Sequence, residues 1–378
     1  LENTILQKLY NSEFYVADKQ PGIPFMISPG RRLCGVASPD WGTAVVQLPW
    51  HVYLYYGNKE ALELYYDEMK QWVEHVQALT EDDIVPYGLG DWCPPEGNKT
   101  IDCPIPLSSS AFHYLDTEIV AKAAGILDKK DDAAKYTALA KRLKKAFIKN
   151  FYDDENQTFG SQTANAMALS YGLFPENNEK SISNALVREI KKQHDFIHTG
   201  IFGLGHIGQA LSRHGNDKTA FDVFTKTGEY SFAYMWDNAD ATTMWEILPV
   251  SETSKNACIK GASSLNHPMQ GVFDAWFYED IAGIRPEEAG YKVIHFEPTM
   301  TAHLSWAKAT IETPYGMALS DWKKENGYLY WPITIPPNTS GHVFIPDGKE
   351  IKINDIIFDN SRLSHHLPSG KYQITVKE

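Results

Sequence analysis

The chain has 378 residues, 43% hydrophobic and 22% charged, which is enough apolar content for a sizeable core and for two or three domains. Lys and Arg number 35 against 48 Asp and Glu, a net charge of −13 without any basic run, so neither nucleic acid nor an anionic membrane surface is expected as a partner. No apolar stretch reaches the roughly 20 residues of a membrane-spanning segment. The four cysteines (Cys34, Cys93, Cys103, Cys258) have no CxxC spacing and are too few for a disulfide scaffold, although Cys93 and Cys103 could close a short loop. The chain opens Leu1-Glu2-Asn3-Thr4 without an initiator Met or a signal pattern, and is therefore read as beginning inside a longer or processed protein.

Taken in order, residues 1–285 read as mostly helical. Ile5, Leu6, Leu9 and Tyr10 fit a helical face, and Pro21, Pro24 and Pro29 with Gly22 and Gly30 mark a long loop. Helical periodicity follows near 41–57, 59–78, 108–125, 131–150, 163–171, 177–194, 202–214, 217–228, 241–248 and 269–282. Leu62, Tyr65, Tyr66, Met69, Trp72, Val73 and Val76 show the pattern well. Asn58, Ser108, Asp217 and Asp240 sit where N-caps belong, and Gly57, Gly125 and Gly215 where helices end. Many helices paired as hairpins suggest an α/α barrel or toroid. A double ring of six hairpins would need twelve helices, so one is expected to be missing at the N-terminus. The texture changes at 286–290. Short alternating runs at 291–296, 305–311, 327–331, 342–346, 351–353 and 372–376 predict a small antiparallel sandwich.

Four loops could carry chemistry. Gly88-Leu89-Gly90-Asp91-Trp92-Cys93-Pro94-Pro95-Glu96 places two carboxylates and a Trp in one turn-rich segment. Desolvation beside Trp92 would raise a carboxyl pKa towards that of a general acid; the plainer reading is a tight turn with a packing Trp. In Asp240-Ala241-Thr242-Thr243-Met244-Trp245-Glu246, Glu246 is either a second carboxylate acting on water or the Glu of a capping box with Thr243. Ser264-Leu265-Asn266-His267 ends in a histidine able to donate to a ligand hydroxyl, or is a plain turn. Asp40-Trp41-Gly42 is a further acidic–aromatic loop, or an ordinary N-cap. Aromatics make up 12% of the chain, with 10 Trp and 20 Tyr, which serve equally as core or as platforms for a sugar ring. Two carboxylates among aromatics suit glycoside hydrolysis. No HExxH, Walker or GxSxG pattern appears. Gly203-Leu204-Gly205-His206-Ile207-Gly208 is GxGxxG by letters only, inside a helical segment.

The ordered set Gly88-Leu89-Gly90-Asp91-Trp92 with Glu96, Thr199-Gly200-Ile201-Phe202-Gly203, Ala241-Thr242-Thr243-Met244-Trp245-Glu246, Ser264-Leu265-Asn266-His267, and Ala282-Gly283-Ile284 followed by Gly290-Tyr291-Lys292 resembles the catalytic module of glycoside hydrolase family 78 α-L-rhamnosidases. The segment from Trp306 to Trp322 is similar to their C-terminal β-sandwich. The resemblance implies an (α/α)6 barrel over 1–286, N-terminally incomplete, followed by a β-sandwich over 287–378. It implies inverting release of terminal α-L-rhamnose, with Glu96 as general acid and Glu246 as general base. Asp91, Trp92, Trp245, His267, Asp40 and Trp41 would contact substrate, and neither a metal nor a cofactor would be needed. The chain departs from the family pattern at Asp240, where a Gly is usual, and at Ile247-Leu248, where Arg-Trp often follows. It also lacks the Arg-rich stretch that normally precedes the first helix. These changes bear on which sugar or aglycone is accepted. Expected partners are a carbohydrate and additional N-terminal domains. The compartment stays open, with polysaccharide breakdown pointing outside the cytoplasm. The competing readings are a non-catalytic carbohydrate-binding module, which would bind rhamnose without turnover, and a glycosidase of another α/α-barrel family, which would prefer an aryl glucoside.

Overall fold

The computed structural model describes residues 38–95, 103–301, 303–346, 350–358 and 364–377. The helix expected at 5–10, the Pro/Gly loop after it, Cys34 and Glu96 lie outside the described residues. The chain divides into two units, one of residues up to 50 with 62–273, the other of 51–61 with 274–378.

The first unit is helical. After a single turn, α1 (Pro39–Gly42), come α2 (Ala44–Tyr56), α3 (Lys59–Ala78), α4 (Ile105–Ile126), α5 (Lys130–Phe151), α6 (Gln162–Tyr171), α7 (Glu179–Lys192), α8 (Ile201–Ser212), α9 (Asp217–Phe224), α10 (Phe232–Ala239) and α11 (Glu252–Ala257); residues 51–61, the end of α2 and the start of α3, fall in the second unit. Their packing alternates. α4 touches α5 and α6, α6 touches α7 and α8, and α8 touches α7 and α9. Composition explains the division. α4, α6 and α8 are rich in small and apolar residues around the whole circumference and are buried on most faces. α5 buries only Tyr136, Leu139, Ala140, Leu143 and Phe147, at helical spacing, and turns its lysines outward. An inner set is thus backed by an outer, amphipathic one. The expected face of α3 is buried at Leu62, Tyr66, Met69, Trp72, Val73 and Val76.

Several boundaries differ from expectation. Ser108 is no N-cap. Pro104 and Pro106 start α4 earlier, their fixed φ suiting a first turn, and the Ser108 hydroxyl donates to Ile105 O at 3.2 Å. The helix expected over 241–248 is absent; that segment runs non-helical. The helix lies upstream as α10, which Ser231 caps by accepting from the Tyr234 N–H at 3.1 Å. Asp240 ends α10 in the left-handed region (φ 49°, ψ 34°) instead of starting a helix, a conformation its short polar side chain tolerates. The Thr243–Glu246 capping box therefore does not form. The helix expected over 269–282 breaks into a 3-10 turn (Pro268–Gly271), a short α turn (Asp274–Trp276) and a π turn (Phe277–Ile281). The GxGxxG letters fall inside α8. No disulfide joins Cys93 to Cys103.

The second unit carries β1 (Ile284–Pro286), β2 (Val293–Phe296), β3 (Trp306–Thr313), β4 (Gly316–Glu325), β5 (Tyr328–Phe344), β6 (Glu350–Ile353), β7 (Ile356–Phe358) and β8 (Ser364–Lys377). The order is β1-β2-β5-β8-β6-β7, with β4 also on β5 and β3 on β4. β1, β4 and β7 are strands that alternation did not single out. The runs at 327–331 and 342–346 are one long strand, interrupted between Ile335 and Ser340 where Pro336 and Pro337 withhold N–H donors. One pair departs from the antiparallel expectation: β2 runs parallel to β5. The core gathers Phe296, Trp322, Trp331, Ile333, Val343 and Ile374. Both indoles are satisfied, Trp322 donating to Ile281 O at 2.8 Å and Trp331 to Ser320 Oγ at 3.0 Å.

Candidate active site

Three stretches of the first unit meet: the loop 88–95, the segment 241–250, and the loop 263–270. The first is pinned from two sides. Asp40, buried in α1, accepts the Leu89 and Gly90 N–H groups on Oδ2 at 2.7 and 2.9 Å, and Ser38 donates to its Oδ1. Asp91 is fully buried and reaches the N-terminus of α8. Its Oδ2 accepts from Gly200 N–H at 2.8 Å and from the Thr163 hydroxyl, and its Oδ1 from Phe202 N–H at 2.8 Å. Trp92 O takes the Ile201 N–H at 2.9 Å. Consecutive orphan donors of α8 are thus satisfied from a distant loop, and the negative carboxylate lies at the positive end of the helix. Burial pushes both aspartate pKa values up, and these hydrogen bonds counter it.

The approach requires Gly200. A Cβ there would lie 2.3 Å from Trp92 O and 2.6 Å from Asp91 Oδ1, although its own φ of −81° is ordinary, so space is the reason for the glycine. Beyond Trp92, Cys93 takes a left-handed φ of 57° and turns the chain towards Pro94 and Pro95.

Glu246 is half-buried on the non-helical segment, laced to the loop 263–270. Its N–H donates to Ser264 O and its Oε2 accepts from Ser264 N–H, both at 2.9 Å. Gln270 donates to Glu246 O at 2.6 Å, His267 N–H to Met244 O at 2.7 Å, and the Thr243 hydroxyl to Leu265 O at 2.5 Å. The other oxygen, Oε1, lies 3.9 Å from Cys93 Sγ. Burial, then the Glu246 and Asp91 charges, push that thiol up to about 12, so it stays protonated beside the carboxylate.

Of the residues singled out from sequence, Glu246, His267 and the loop leading to Glu96 are brought together. Both aspartates are at the site but hold protein donors: where the resemblance implies a sugar contact for Asp91, its two oxygens are already engaged by α8 and Thr163. Trp245 is buried at 5% exposure and serves packing, whereas Trp92 and His267 are half-buried. Trp41, also half-buried, meets Phe202 edge-on at 6.5 Å. Sequence reasoning missed Cys93, Ser264 and Thr163 as neighbours of the carboxylates. No spacing rule links them, because the contact with Thr163 joins positions 72 residues apart.

A helical toroid with a carboxylate held among converging loops is the architecture of a six-hairpin glycosidase domain. Residues 4–281 match the bacterial alpha-L-rhamnosidase 6 hairpin glycosidase domain and residues 283–356 the bacterial alpha-L-rhamnosidase C-terminal domain. The chain belongs to the bacterial alpha-L-rhamnosidase family. It is similar to an alpha-L-rhamnosidase of Formosa agariphila, 31% identical over 363 residues that cover 94% of this chain and 39% of the relative. A second from the same organism is 32% identical, covering 93% and 39%. Among solved structures, the alpha-L-rhamnosidase from Dictyoglumus thermophilum superposes with a TM-score of 0.85 at 30% identity, over 99% of this chain and 43% of that one. The Streptomyces avermitilis alpha-L-rhamnosidase shares the fold at TM-score 0.86 and 24% identity, over 99% of this chain and 36% of that one. The chain thus spans about two fifths of the length of the curated Formosa relatives. It combines an α/α barrel with a following β domain. Among the described residues no helix is long and apolar enough to cross a membrane.

Proposed function

We propose that the chain carries the catalytic centre of an inverting α-L-rhamnosidase acting on terminal α-L-rhamnosyl units. The barrel domain would span 1–286 and the β domain 287–378, in keeping with family matches that end at 281 and resume at 283. Glu96 donates its proton to the leaving glycosidic oxygen. Glu246 takes a proton from water on the opposite face of the sugar, which inverts the anomeric centre. Asp40 and Asp91 are positioning residues that fix the loop leading to Glu96. Half-buried Trp41, Trp92 and His267 are the groups left to meet the sugar, and Trp245 backs Glu246 by packing.

The observation that carries this reading is the setting of Glu246. One oxygen is fixed by the Ser264 N–H, and the other lies 3.9 Å from Cys93, three residues before Glu96. Turnover of an aryl α-L-rhamnoside, compared with an aryl glucoside, tests it. Glu246→Gln and Glu96→Gln should each lower kcat by about 10²–10⁴-fold with folding intact. Near wild-type turnover of a natural rhamnoside by either variant would remove that assignment. Proton NMR should show β-L-rhamnose as the first product; α-L-rhamnose first would make the enzyme retaining.

A further inference from the structure

The strand register of the second unit sets His295 of β2 opposite His342 of β5, and His342 opposite His366 of β8. Residues level with one another on neighbouring strands share a face, so three imidazoles form a row. Glu287, in the connection between β1 and β2, reaches into it. Its Oε2 lies 3.2 Å from His295 Nδ1 and 3.0 Å from His342 Nδ1. One ligand atom from each of Glu287, His295 and His342 falls within 4.8 Å of the others. Four ligands at about 2.0–2.2 Å around zinc stand roughly 3.3 Å apart, close to the two separations measured here.

The surroundings fit a ligated imidazole. His295 Nε2 lies 2.8 Å from Glu297 Oε2, and Arg285 Nη2 lies 2.6 Å from that nitrogen and 2.9 Å from the same carboxylate. With Nδ1 bound to a metal, Nε2–H would donate to Glu297, and Arg285 would turn its N–H from Nε2 wholly onto that carboxylate; a carboxylate behind a ligating histidine is the usual outer partner. The His366 ring stacks on His342 at 4.1 Å, and Phe344 backs both ligating rings. The side chains of His295, His342 and Glu287 keep 13%, 18% and 36% exposure, so an ion and a water can enter.

We propose that Glu287, His295 and His342 bind a zinc-class divalent ion, with water as fourth ligand, tying the β1–β2 connection to β5. No motif marks the set, because Glu287 and His342 are 55 residues apart. The test uses the full chain stripped with EDTA and titrated with zinc chloride by calorimetry and by thermal melting. One equivalent should bind saturably and raise Tm by mass action. The double variant His295→Gln, His342→Gln should lose that site. Glu297→Gln, which removes only the outer partner, should weaken binding about 10–100-fold. Co2+ in place of zinc should give tetrahedral d–d absorption without the thiolate charge-transfer band of cysteine ligation. Absence of saturable binding, a thiolate band, or unchanged affinity in the double variant overturns the proposal. Should that variant not fold, unchanged affinity in Glu297→Gln does so alone.

Discussion

Asp91 shows what a single side chain does for the site. Its carboxylate closes three hydrogen bonds to groups on α6 and at the start of α8, with no exposure to solvent. Replacing one of its oxygens with an amide NH2 sets a donor against a backbone donor. Hydrogen bonds to charged groups contribute about 1.5–3 kcal/mol each, and a buried unmet donor costs a similar amount. Asp91→Asn should therefore lower unfolding free energy by about 2–3 kcal/mol in urea titrations, together with a fall in kcat as the loop before Glu96 loosens. A variant with full stability and reduced rhamnoside affinity would instead assign Asp91 to the sugar.

At the scale of elements, helix positions were legible wherever apolar spacing was long and regular, as in α3, α5 and α7. They were not legible where tertiary hydrogen bonds replace helical ones. Residues 241–248 carry helical spacing, yet Thr243, Met244 and Glu246 bond to the 263–270 loop instead. The sequence also hides that α8 begins under a foreign carboxylate. Gly200→Ala tests that junction. A methyl group would press on Trp92 O and Asp91 Oδ1, so the loop or the helix start must shift. Overpacking of this kind costs about 1–3 kcal/mol. The expected outcome is a lower Tm with a larger loss in kcat than in KM, measured on the same preparation. An unchanged Tm would mean the contact yields without cost.

For the whole molecule, buried titratable groups set the response to acid. His113 is fully buried, its Nε2 3.1 Å from Gln77 Oε1, and burial holds its pKa down at about 3; burial holds His206 at about 4. The unfolded chain binds these protons near the ordinary histidine value of 6.5. Between that pH and the folded values the unfolded state holds more protons, so stability is lost as pH falls through the window and is complete above it. Asp116 acts in the opposite sense. Burial raises its pKa well above 3.8 despite Thr43 and Trp72 donating to it, so its contribution is present at low pH and lost as pH rises through that range. His113→Gln should remove one acid-sensitive contribution. The difference in unfolding free energy between wild type and variant should shrink by roughly 1 kcal/mol per pH unit on acidification below 6.5, and stay flat above it. A constant difference across that range would show that His113 titrates normally.

The capping of α8 by Asp91 also has a consequence in time. The bonds to Gly200 and Phe202 join positions 109 and 111 residues apart. Closures over such distances follow local helix formation during folding. In stopped-flow refolding, helix content should therefore return before the contacts of the loop 88–95 do.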